Sequence, residues 1–515
     1  MEDIYKESLR KIVKGAGLSF IGTIIGIIFG YLSRLVIARF LDPHGYGLIS
    51  LGYAVFTIAV TLSLLGIPQG VIRYVAFYKG RGGSGKVKGT IFSALKITIP
   101  SSIIATLVLF FGAEWISVIF FHEPNLAPVL QIFAFSIPFW VIAQIAIAAT
   151  IGFQDLRYDL YVTYIFQNSF RLVAIVVLLS FGYGVLGASI GWVLAIVGMP
   201  FLAFYFLDRK VFSIFNTSVK ADYMQKEILL FSYPLIFAGI TGLIMGWTDT
   251  ITLGYFLGAG AVGVYNAALP TANLIRMPLS AFGIIFSPIA SELYASNRYE
   301  DLRRIYSIVT KWVLLITLPA FLLLVPFSES MIVILFGYKY AEGSLALCIL
   351  TFGFFIISLI GPASSVIHAF GETKVIMKYT LFGAILNVTL NLALIPLYGV
   401  SGAAIATVVS LMITHFGIFI SAHKISGIQP FRAILLKPTF ASIIALVISC
   451  GITKFFGHVP STLVARFLAF LTIYFLLVLL FKSFEDEDLM IMKTIDERLG
   501  MKKVDLIRKV VKKFL

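Results

Sequence analysis

Polar surface is what this chain has least of. Of its 515 residues 13% are charged and 59% hydrophobic, and mean hydropathy is +0.98. A soluble domain of this length would need far more polar residues to cover it, so the composition excludes one and indicates a polytopic membrane protein. Cysteine is nearly missing: Cys348 and Cys450 sit far apart in apolar runs, which excludes a disulfide framework or a thiolate metal site. There is no GxxxxGK followed by Ser or Thr, no HExxH and no soluble insertion large enough for an ATPase, so no cofactor or metal is expected. The run 80–86, GRGGSGK, lacks the phosphate-loop spacing and reads as a flexible basic loop. The start, MEDIYKESLRKIVKGAG, lacks an apolar core followed by a small-residue cleavage site, so no removable signal peptide is expected. Acidic residues are also few, 25 against 40 Lys and Arg, for a net charge of +15. In a soluble protein that excess would suggest nucleic acid; here loop topology explains it, and no nucleic-acid partner is expected.

A spanning helix needs about 20 mostly apolar residues. Runs between glycine, proline and charge breaks predict fourteen: 15–38, 46–67, 89–111, 127–151, 159–181, 185–207, 227–256, 261–287, 306–327, 344–367, 375–396, 400–422, 437–456 and 462–481. Short loops rich in Lys and Arg stay cytoplasmic. One side collects Lys6, Arg10, Lys11 and Lys14, then Arg73, Lys79, Arg81, Lys86 and Lys88. Later alternate connections, among them Arg298, Arg303, Arg304 and Lys311, and the tail from Lys482 add to the same side. The opposite side has only Arg39, Lys339, Lys454 and Arg466. Both termini are therefore predicted to be cytoplasmic, in a multi-pass protein of the cell membrane.

Two echoes mark an internal repeat. Residues 29–51 align without gaps on 245–267, matching Gly30, Phe40, Leu41 and Gly47 with Gly246, Phe256, Leu257 and Gly263 at an offset of 216. YGVLGASI at 183–190 matches YGVSGAAI at 398–405 at an offset of 215. Each copy holds six spans, an even number, so both insert with the same orientation. The expected fold is an all-α membrane protein of two six-helix lobes related by a parallel pseudo-two-fold axis, with two C-terminal helices appended. In residues this gives a cytoplasmic segment 1–14, a first lobe 15–210, a cytoplasmic linker 211–226, a second lobe 227–424, two further spans within 425–481 and a basic tail 482–515. Parallel lobes suit alternating access around a site held between them.

The stretch Arg39-Phe-Leu-Asp-Pro-His-Gly-Tyr-Gly, LGIPQGVIRYVA at 65–76 and FLGAGAVGVYNAA at 256–268 resemble the polysaccharide transporter family. That family belongs to the multidrug/oligosaccharidyl-lipid/polysaccharide exporter superfamily. The resemblance implies a flippase for lipid-linked oligosaccharides, with glycan and pyrophosphate inside a cavity and the lipid tail in the bilayer.

Four basic residues, Arg34, Lys96, Arg171 and Arg276, interrupt the predicted spans, and Asp249 is the carboxylate at similar depth. A charge at membrane depth costs roughly 2.5–3.5 kcal/mol on insertion scales and usually faces a watery cavity or a partner. A positively biased interior therefore points to an anionic ligand. Arg276, with Asn273 on its helical face, and Arg34 are the expected phosphate ligands, because a guanidinium can grip phosphate bidentately. Arg171, with Asn168 on its face, supports them. Asp249 falls opposite Ser33 in the repeat alignment, beside Arg34. It is read as a gate of the cavity or a coupling site for a proton or sodium ion, with Thr250 beside it. Gln69, Arg73 and Lys96 lie toward the cytoplasmic entrance, where anchoring or snorkelling to the headgroups explains Arg73 and Lys96 as well. The tail 492–515 sets Val504, Ile507, Val511 and Phe514 against six basic residues, a helix expected to lie on anionic membrane lipids. The expectation is a flippase working as a monomer, not an enzyme. A lipid II-type flippase and an organic-cation antiporter of the same superfamily are the alternatives.

Overall fold

In hydrocarbon every backbone N–H and C=O must be satisfied within the protein, so a chain this apolar folds as helices. The computed structural model describes residues 22, 24–216, 219–432, 435–454, 460–481 and 483–484, and these contain no strand. Nine of their helices are long and apolar enough to cross a membrane. The segment 1–14, the beginning of the first predicted span and the basic tail beyond Phe484 lie outside the described residues.

Helix α1 (24–40) is followed by α2 (Pro43–Leu64), α3 (Ile67–Gly80), α4 (Ser84–Trp115), α5 (Leu126–Gly152), α6 (Arg157–Ser180) and α7 (Gly184–Phe206). Then come α8 (Gln225–Asn273), α9 (Met277–Ala295), α10 (Tyr299–Leu324), α11 (Ser328–Phe336), α12 (Ser344–Leu359), α13 (Ala363–Ala369), α14 (Thr373–Ser426), α15 (Leu436–Lys454) and α16 (Pro460–Leu480). The two longest are each broken by a glycine, Gly258 in α8 (φ 78°) and Gly399 in α14 (φ 57°), where the sequence places connections between spans.

The chain forms two compact units. The first runs through Ala267 and takes in Val333–Glu342 and Val388–Ala403; the second holds Ala268–Ile332, Gly343–Asn387 and the chain from Ala404.

In the first unit the repeat echoes acquire a physical reason. Gly184 and Gly399, matched by the second echo, both turn the chain at positive φ, 54° and 57°, a region closed to most side chains. Three residues on, Gly187 and Gly402 each leave no room for a Cβ: one would strike Tyr183, the other the Leu394 carbonyl. The stretch 39–47 is a helix start. Arg39 donates through Nε to the Leu335 carbonyl (2.9 Å) and through Nη2 to that of Ile334, capping the last turn of α11. It holds a helix C-terminus rather than only reaching for the headgroups. Asp42 caps α2, accepting from the Gly45 N–H at 2.8 Å, and Pro43 begins the helix. The segment before α8 is strapped to α4: Asp222 N–H donates to the Gly85 carbonyl (2.9 Å) and Met224 N–H to Ser93 (2.8 Å).

In the second unit α9, α10, α13 and the C-terminal part of α14 share a core around Phe286, Tyr306 and Val366, while α15 and α16 pack on α10 through Ala441, Ala445, Phe470 and Tyr474.

Candidate functional site

A segment of π-helix, Leu160–Phe166, opens the site in the first unit. Its wider turn misaligns carbonyls, and the Asn168 amide nitrogen reaches back to those of Thr163 (3.1 Å) and Tyr164 (2.9 Å). That bond leaves the Asn168 oxygen to accept from Arg171 Nη2 at 2.7 Å. The guanidinium lies 4.5 Å from the centre of the Trp192 ring. It is accommodated by Gly30 of α1, where a Cβ would come within 3.2 Å of Nη2. Arg171 is 7% exposed, and its Nε and the Nε1 of Trp192 are buried without a hydrogen-bond partner among the described residues.

Arg34, half-buried on α1, belongs to the same cluster. The charges of Arg34 and Arg171 both act on the Tyr46 hydroxyl, and that of Arg34 acts on Arg171. Neither arginine makes an ion pair among the described residues. Two neighbouring guanidiniums thus stand with no carboxylate on either among the described residues, and planar, delocalised Arg is the cation that best grips a bidentate oxyanion.

The Tyr46 hydroxyl donates onward to the main-chain carbonyl of Asn266 at 3.1 Å. Asn266 Nδ2 donates to its own turn at Val262 (3.0 Å) and to Thr250 Oγ1 (3.3 Å). Beside Thr250, Asp249 is 6% exposed. One carboxylate oxygen accepts from the Tyr265 hydroxyl at 2.6 Å and the other from Asn391 Nδ2 at 2.7 Å. Hydrogen bonds thus run from Tyr46, which feels the charge of both arginines, to Asn266, whose side chain reaches the residue beside the carboxylate.

At the end of the same unit where α2 begins, Glu123 accepts from His44 Nε2 (2.9 Å) and from the N–H of Ala259 (2.8 Å), the first donor after the Gly258 break. Of the residues read as an entrance, Gln69 is exposed on α3, Arg73 lies 4.3 Å from the centre of the Phe231 ring, and Lys96 is exposed with its ammonium 3.7 Å from that of Tyr223.

Arg276 belongs to the second unit. A 3-10 turn, Leu274–Arg276, joins α8 to α9 and sets its guanidinium 5.1 Å from the centre of the Phe354 ring. His415 is near enough to feel its charge. Asn273 is half-buried and makes no described hydrogen bond to it. The structure therefore gathers Arg34, Arg171 and Asn168 in one unit, Asp249 and Thr250 in a second cluster of that unit, and Arg276 in the other unit.

Several residues escaped the sequence. Tyr46, Trp192, Tyr265 and Asn266 looked like ordinary membrane-helix residues. Lys311, grouped with the cytoplasmic connection, is 1% exposed on α10; its place inside the predicted span 306–327 was the available signal. Asn391 of α14 bonds across to α8, where its partner is Asp249.

A profile described as polysaccharide biosynthesis protein matches residues 12–294, and one described as MatE matches 234–393. The chain is 29% identical over 440 residues to an uncharacterized membrane protein, MJ1068, of Methanocaldococcus jannaschii, covering 81% of this chain and 83% of that one. It is 26% identical over 200 residues to the probable low-salt glycan biosynthesis flippase Agl15 of Haloferax volcanii, covering 38% of this chain and 42% of that one. Its fold is that of the lipid II flippase MurJ in an inward closed conformation: TM-score 0.67, 16% identity, 89% of this chain and 97% of that one.

Proposed function

This chain belongs to the polysaccharide biosynthesis protein family, and from that premise we propose that it is a flippase carrying a polyprenyl-diphosphate-linked glycan from the inner to the outer leaflet by alternating access. The observation that carries the reading is the pairing of Arg34 with Arg171, two cations in predicted spans with no carboxylate on either among the described residues. Uncompensated charge there is costly, and a diphosphate would supply the missing counter-charge. Arg276, three residues after Asn273, would be a further phosphate ligand.

Asp249 would couple the cycle to a proton or sodium ion. Its carboxylate accepts from Tyr265 and Asn391, with Thr250 adjacent, and the hydrogen bonds of Tyr46 and Asn266 would connect this neighbourhood to the cargo site. Gln69, Arg73 and Lys96 would meet headgroups at the cytoplasmic entrance, and the basic tail would rest on the inner leaflet. Both termini would be cytoplasmic and the monomer would suffice. The relatives support transport over catalysis, and an organic cation would be repelled by the arginine pair. A lipid II-type cargo differs only in the sugar and peptide it bears.

The test is reconstitution in vesicles with a fluorescent undecaprenyl- or dolichyl-diphosphate glycan. Translocation of the lipid is expected. Efflux of a cationic dye with no movement of the lipid would overturn the reading in favour of an antiporter.

A further inference from the structure

Beside the arginine pair stands an aromatic wall that helix packing does not fully use. Phe56, Phe133 and Trp192 are buried behind it at 1%, 0% and 4% exposure, while Tyr53 on α2 and Trp247 on α8 are only half-buried. The Tyr53 ring is 4.7 Å from Trp192 at 37° and 5.6 Å from Trp247 at 70°, bridging the buried layer and the open one. The Tyr53 hydroxyl acts electrostatically on Arg171, so the polar edge of the wall is the guanidinium. At that edge, 4.5 Å from guanidinium carbon to indole centre, lie two buried donors that are unpaired among the described residues, Arg171 Nε and Trp192 Nε1.

Buried donors are nearly always paired in folded proteins, so two together point to an acceptor that a ligand brings. We propose that Tyr53 and Trp247 form the subsite for the first sugar ring of the cargo, next to the arginines that take its diphosphate; this rests on the reading given above. A bare diphosphate would satisfy the donors and leave the rings idle. An apolar compound would cover the rings and leave the donors unpaired. A pyranose on a diphosphate does both. Its C–H face, weakly positive, lies against the negative face of an aromatic ring. Its edge hydroxyls and the linking phosphate oxygens accept from the indole and guanidinium N–H groups. Tyr53 and Trp247 would then set which sugars are accepted, while Arg34 and Arg171 accept any diphosphate.

The test measures binding of two probes to the full-length protein in detergent: farnesyl diphosphate, and the same diphosphate esterified to N-acetylglucosamine. Wild type should bind the sugar-bearing probe about tenfold tighter, the scale of one good ring contact. Trp247→Leu should bring that probe down to the affinity of the bare diphosphate, and Trp247→Phe should restore most of the difference. Equal affinities in wild type, with Arg171→Gln still weakening both probes, would overturn the sugar subsite and leave the diphosphate reading standing. If Arg171→Gln weakens neither probe, the diphosphate reading fails and takes the subsite with it.

Discussion

Gly47 and Gly263 face each other. A Cβ on Gly47 would strike the carbonyl of Ala259 and lie 3.0 Å from the nitrogen of Gly263; one on Gly263 would strike the carbonyl of Pro43 and lie 3.1 Å from the nitrogen of Gly47. The two glycines, and equally Pro43 and Ala259, are separated by the repeat offset of 216. The contact is thus reciprocal, as across a two-fold axis. A duplicated sequence has placed its own equivalent residues against each other, and only glycine permits that approach of backbones.

Gly47→Ala should therefore lower thermal stability in detergent by about 1–3 kcal/mol, the usual cost of overpacking. Gly260→Ala is the control: a Cβ there meets nothing within 4 Å, and its midpoint should stay within about 0.5 kcal/mol of wild type. Equal midpoints for Gly47→Ala and wild type would contradict the close contact.

Arg171→Gln should slow glycan-lipid translocation about 10- to 100-fold, the worth of a charge-assisted hydrogen bond to phosphate. Arg171→Lys should recover little, because a point charge replaces the planar fork that Asn168 and Trp192 orient. Initial rates in vesicles check both.

Asp249→Asn puts an amide N–H₂ where one of two donors, Tyr265 or Asn391, now meets a carboxylate oxygen. If the carboxylate couples transport to an ion, the wild-type rate should rise with an imposed proton or sodium gradient and the variant's should not. A variant that keeps the full gradient response removes Asp249 from coupling.

Asp155, in the turn between α5 and α6, accepts from Arg157 Nη2 at 2.6 Å, Nε at 2.9 Å and the backbone N–H at 3.1 Å. The Arg157 side-chain bonds, with smaller help from its backbone N–H and charge, outweigh partial burial and hold the carboxyl below its usual value. A depressed folded-state value means stabilisation present above the unfolded value, about 3.9, and lost as pH falls below it toward the folded one. Thermal midpoints measured across the acid range should show Asp155→Asn losing this component of the acid dependence.

What the sequence disclosed and what it hid divide along physical lines. The helices were legible because apolar length is local. The repeat was legible because left-handed turns such as Gly184 and Gly399, and contacts such as Gly47 with Gly263, accept glycine alone. Charges in apolar runs drew attention to Arg34, Arg171 and Asp249. Their surroundings were not legible: Tyr265 and Asn391 reach Asp249 from 16 and 142 residues away, and no periodicity encodes such a meeting. Lys311 was hidden by its place near the start of the predicted span 306–327, where a basic residue ordinarily marks a cytoplasmic loop. Arg39 was legible as an end-of-span cation, but the C-terminus it caps is almost 300 residues away, with separations of 295 and 296.

The most direct test of the central claim is a double-mutant cycle on Arg34 and Arg171, read as the translocation rate of a polyprenyl-diphosphate glycan in vesicles. If both arginines hold one diphosphate, Arg34→Gln and Arg171→Gln should each slow transport, and the double variant should lose less than the two losses combined. A double variant that moves the lipid at the wild-type rate would contradict the account.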